Sequence, residues 1–76
     1  MEFMKSSELP ITAMSRILKK AGASSVSAES AIELRRVIED IADSIAESAV
    51  DMASHAKRKT VKGEDVKLAS KPFSKF

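Results

Sequence analysis

The segment Ala23–Lys62 contains neither a proline nor a glycine, although the chain has two of each, at Pro10, Gly22, Gly63 and Pro72. Within it, apolar residues recur at Ala31, Leu34, Ile38, Ile41, Ile45, Ala49, Met52 and Ala56, always three or four positions apart. That is the repeat of one helical face, and no strand has it. Val37, Ala42, Ala46, Val50 and Ala53 widen the stripe. Ser27 supplies an N-cap and Glu29 an acid for the first turn. The sequence therefore predicts a long helix over Ala28–Ala56, about 43 Å in length at the α-helical rise.

The breakers punctuate two shorter pieces. Pro10 suits a first helical turn and Gly22 the residue just past a helix end. Ile11, Met14, Ile17, Leu18 and Ala21 between them predict a helix over Ile11–Ala21. Val66, Leu68 and Ala69 predict a third over Gly63–Ser70, stopping before Pro72, with Val61 pointing inward ahead of it. The fold class is thus all-α: short helix, long helix, short helix.

Two short helices cannot cover a stripe along the whole of the long one. A second copy crossing the first would, so an intertwined homodimer is the economical arrangement. A monomeric up-down bundle is disfavoured because nothing breaks the middle segment. A plain coiled coil fits poorly, since the stripe is broad and rich in alanine.

Composition narrows the remaining options. The chain has 76 residues, which allows one small domain, and such domains usually need a disulfide, a metal or a partner. There is no cysteine, and one histidine makes no zinc site, so neither metal nor cofactor is expected. No apolar run approaches the ~20 residues that span a bilayer, and no signal-peptide core precedes the first helix. A soluble, intracellular protein with no membrane partner is the expectation. "MEF" ahead of Met4 reads as an added leader. One domain is expected over residues 8–73, with a flexible N-terminus at 1–5 and a short tail at 74–76.

The net charge is +2, unevenly spread. Residues 27–56 carry seven acids against Arg35 and Arg36, whereas residues 57–76 carry seven bases against two acids. The basic ends, rather than the middle, are placed to meet a polyanion. The knot "HAKRKTVKGED" at His55–Asp65 holds most of that charge, directly after the long helix.

With that knot set between the second and third helices, the chain resembles an archaeal histone. The residues that carry the likeness are "ELPITAMSRILKKAGA" at Glu8–Ala23, "VSAESAIEL" at Val26–Leu34 and "HAKRKTVKGEDVKLA" at His55–Ala69. Arg58, Thr60 and Asp65, at their fixed spacing, are the most specific part. The resemblance implies the three-helix histone fold and a head-to-tail handshake homodimer, in which the first loop of one chain lies beside the second loop of the other. It also implies a nucleoid-associated protein that bends, wraps and compacts double-stranded DNA largely without sequence preference, as dimers joining into tetramers or longer superhelical polymers.

Wrapping DNA requires phosphate contacts at intervals, without base reading. Lys59 and Lys62 supply charge and Thr60 a hydroxyl, while Lys57 stays open between DNA contact and a solvated loop. By resemblance, Arg16 enters the minor groove, with Lys19 nearby on the same surface. Arginines inserted into an inward-facing minor groove are how nucleosomal DNA is held. By resemblance too, Arg58 pairs with Asp65 and locks the second loop to the last helix, a pairing that suits a planar guanidinium better than an ammonium. Met52, His55 and Asp65 would lie where one dimer meets another, and a His–Asp hydrogen bond there would respond to pH near neutrality.

Catalysis is not expected. His55 has no serine, cysteine or acid forming a constellation with it, there is no glycine-rich phosphate loop, and no small-molecule substrate is implied. The acids of the long helix read as its solvated face. Ser25 stands where the family commonly has a DNA-facing arginine, and Lys57 where it commonly has a small residue. A histone-fold subunit of a transcription-regulatory heterodimer is the alternative reading, and a paralogous histone is a second candidate partner.

Overall fold

The computed structural model describes residues 9–73. The expected leader, flexible N-terminus and tail, at 1–5 and 74–76, and the start of the domain at Glu8 fall outside them. Among the described residues the elements are α1 (Ile11–Lys20), α2 (Ala28–His55), α3 (Gly63–Ala69) and a 3₁₀ turn (Lys71–Phe73), with no strand. The architecture is all-helical, in the order short, long, short. α2 runs through two compact units, one ending at Ile41 and the other beginning at Ala42.

In the first unit Pro10 is the N-cap of α1, one position earlier than the first turn, with extended backbone (φ −72°, ψ 139°). Leu9, just before it, is tied to α2 at both peptide groups. Its N–H donates to Glu39 Oε2 (3.3 Å), and its carbonyl accepts a long bond from Arg35 Nη1 (3.5 Å). α1 ends one residue short of Ala21 because Gly22, at φ +120°, turns the chain. The Gly22 N–H donates to Lys19 O (3.0 Å) and the Ala23 N–H to Leu18 O (3.2 Å), the paired bonds of a Schellman ending. Lys19 and Lys20 in the last turn complement the helix dipole. α2 starts where Ser27 Oγ accepts the Ser30 N–H (3.1 Å), and Ser30 Oγ donates back to Ser27 O (2.8 Å).

In the second unit α2 closes in the same way. The Lys57 N–H donates to Ser54 O (2.9 Å) and the Arg58 N–H to Ala53 O (2.9 Å). Here the residue in the left-handed region is Lys57, at φ 61°. α3 stops at Ala69 with Ser70 as its C-cap, and the Phe73 N–H donates to Ser70 O (2.9 Å). α3 thus stops before Pro72, as expected, and a separate 3₁₀ turn holds the proline at its middle position.

The buried apolar residues are Met14, Ala31, Ala49, Ala53 and Ala69, and no large side chain is fully enclosed among those described. Ile17, Ile32, Val37, Val50, Val66 and Leu68 are exposed, Val50 at 54%. Val61 corrects the expectation of an inward side chain: it is 40% exposed, on the loop between α2 and α3. A single copy therefore leaves much of its apolar stripe open.

Candidate nucleic-acid interface

The second loop is built around Asp65. This residue sits in the first turn of α3 and is only 5% exposed. Three donors converge on its carboxylate. Arg58 Nη1 reaches Oδ2 at 2.8 Å, Arg58 Nη2 reaches Oδ1 at 2.9 Å, and the Lys62 N–H reaches Oδ2 at 2.8 Å. Arg58 Nη1 also donates to Thr60 O (3.0 Å). One guanidinium thus ties the end of α2, the middle of the loop and the start of α3 into one piece. The bidentate Arg58 contact, followed by the Lys62 amide, holds the Asp65 carboxyl down to about 2. The Arg58 guanidinium is correspondingly raised by that carboxylate. Lys62, the N-cap, has no side-chain acceptor of its own, so Asp65 satisfies the start of α3 from one side only.

Lys57, Lys59, Thr60 and Lys62 all project into solvent from this fixed loop. Among the described residues none of them appears in an ion pair, whereas Arg58 is committed to Asp65. In the first unit Arg16 and Lys19 are both exposed and three residues apart on α1, so they share a face. Lys20, one turn beyond Arg16, joins them there. Sequence reasoning missed Lys20, although its i+4 spacing from Arg16 is a signal that could have found it. Ser25 is exposed on the first loop, in a stretch from Ala21 to Ser27 that has no basic residue.

On the outer face of α2, His55 Nδ1 lies 2.9 Å from the carbonyl of Asp51. A carbonyl only accepts, so in this contact Nδ1 carries the ring proton and donates it to Asp51 O. Ser48, Asp51, Met52 and His55 line a shallow depression. Asp65, grouped with Met52 and His55 in the expected contact between dimers, lies buried with both oxygens engaged in its own chain. Of that group, His55 is exposed and Met52 is half-buried.

Farther along α2, Arg36 is paired with Glu33 and, at 3.7 Å, with Asp40, all largely exposed. Exposed pairs of this kind contribute little to stability. Among the described residues no group of three or more His, Cys, Asp or Glu is placed to hold a metal ion, and no helix is long and apolar enough to cross a membrane.

The likeness of this chain to known proteins spans all three helices and the stapled loop. The family model for histone-like transcription factors (CBF/NF-Y) and archaeal histones matches residues 7–69. A protein of Methanocaldococcus jannaschii named probable archaeal histone 3 is 55% identical over 62 residues, covering 82% of this chain and 92% of that one. A protein of Thermococcus zilligii, named as one of the subunits of archaeal histone HAN1, is 47% identical over 64 residues, covering 84% and 96%. The chain belongs to the family of histone-like transcription factors and archaeal histones.

Proposed function

We propose that this protein is a non-enzymatic chromatin protein of the nucleoid, which binds, bends and compacts double-stranded DNA with little sequence preference. The observation that carries the reading is the second loop. Its Arg58–Asp65 staple fixes the backbone, while Lys59, Thr60 and Lys62 remain free to meet phosphates. A rigid donor array gives up little conformational entropy on binding, and cations without an ion-pair partner lose none when they take a phosphate. Arg16, with Lys19, is proposed as the minor-groove contact, and Lys57 as an additional phosphate contact that offsets the uncharged Ser25.

The binding unit is a handshake homodimer. Support comes from the apolar stripe that a single copy leaves uncovered. Dimers join through Met52 and His55 into tetramers or longer polymers. Smoothly bending a duplex of about 20–30 base pairs costs several kcal/mol, so many phosphate contacts must act together. The expected signature is a steep loss of affinity between about 50 and 200 mM salt, similar for unrelated duplex sequences. Titration of labelled duplexes over that range tests it. Salt-insensitive binding to one sequence would exclude the reading. Nuclease digestion of the complexes then separates the assembly modes: protected fragments growing in equal steps indicate polymers, and a single size indicates a closed particle.

A second reading, a subunit of a heterodimer with another histone-fold chain such as a paralogous histone or a transcription factor, is favoured by the scope of the matching family. Sedimentation of the purified chain distinguishes them. A folded homodimer supports the first, and an unfolded or aggregated chain the second.

A further inference from the structure

Asp43 lies on α2, close to its midpoint, and is half-buried. Its Oδ1 is enclosed and accepts no hydrogen bond. A carboxylate oxygen shut away from water with no donor is costly, and a donor supplied from outside recovers that cost. Val50, two turns farther along the same face, is 54% exposed, so an apolar side chain beside Asp43 is left without cover. A partner chain lying on it would seal Asp43 further.

The nature of that partner follows from charge. Residues 28–55 hold seven acids and only Arg35 and Arg36 as permanent bases. Arg36 is already paired with Glu33 and Asp40, and Arg35 turns to the Leu9 carbonyl. Two identical α2 helices crossing antiparallel near their midpoints would bring Asp43 toward Glu39, Asp40 and the other Asp43. An identical copy thus offers acids where a donor is needed.

We propose that Asp43 is a partner-selecting residue, which weakens pairing between identical chains and favours a histone-fold chain presenting a basic side chain opposite it. This rests on the dimer reading above, but it concerns which dimer forms, not whether the fold pairs. Specificity of this kind needs an element that acts against the wrong partner as well as contacts with the right one.

Sedimentation equilibrium of the full chain and of Asp43→Asn tests the first half, with circular dichroism checking that both are helical. The substitution keeps the shape and removes the charge. The homodimer dissociation constant is expected to fall about tenfold, and an unchanged or larger constant would overturn the proposal. The second half is tested by mixing the full chain with a mass-tagged Asp43→Lys chain and counting dimers by native mass spectrometry. Mixed dimers well above half of the total support the selection, whereas a statistical distribution overturns it. Monomers in every sample would overturn the dimer reading itself, and this proposal with it, an outcome distinct from dimers of unaltered strength.

Discussion

Arg58 and Asp65 face each other through two parallel bonds of 2.8 and 2.9 Å, and the carboxylate they share is almost wholly removed from solvent. Seven residues apart in sequence, they close a loop whose remaining cations point outward. The pair is a structural clasp, and the residues proposed to meet DNA are those it leaves unengaged.

The first prediction concerns acid. Asp65 titrates near 2 in the folded chain, below its ordinary value of 3.8. As pH falls from about 4 toward 2 the unfolded chain takes up this proton before the folded one, so stability present above pH 4 is lost across that window. Urea unfolding at stepped pH should show the loss, and Asp65→Asn should be less stable at neutral pH with a shallower decline below 4. An unchanged decline in that variant would remove Asp65 from the account.

The second concerns backbone strain. Lys57 holds φ 61° at the end of α2, a region that costs a residue with a β-carbon about 1–2 kcal/mol and glycine almost nothing, with glycine's extra unfolded-state entropy taking part of that back. Lys57→Gly should raise the unfolding free energy by roughly 0.5–1 kcal/mol. Chemical denaturation reads it directly.

Third, Ser27 caps α2 through its hydroxyl. Ser27→Ala should cost about 1 kcal/mol of stability, and Ser27→Asp little, as judged by thermal or urea unfolding.

Fourth, the phosphate contacts are countable. Lys59→Ala, Lys62→Ala and Arg16→Ala should each flatten the plot of log affinity against log salt by about one unit for every phosphate no longer neutralised. Arg58→Lys, by contrast, should act mainly on stability, because an ammonium cannot hold both Asp65 oxygens.

Much of the architecture was legible because it rests on periodicity and punctuation. The spacing of Ala31, Leu34, Ile38 and Ile41 and the placement of Gly22 found the helices to within a residue at their ends. The left-handed turn at Lys57 was not legible, since nothing in a lysine announces it and the bonds from Lys57 and Arg58 back to Ser54 and Ala53 are invisible in one dimension. The exposure of Val61 was missed for a different reason. An apolar residue signals burial, but not whether its own chain or another provides the cover. Asp43 read as one more acid on a solvated face, because burial of a single oxygen depends on side-chain placement that no spacing encodes.

That the buried apolar side chains among the described residues are Met14 and four alanines has a consequence for the cell. If the chain pairs as proposed, its folding is coupled, by mass action, to how many copies are present, and its native population rises with its own abundance. Scarce chains would then unfold and be cleared by proteolysis while plentiful ones persist, which would give the supply of folded protein a threshold instead of a smooth response to synthesis rate.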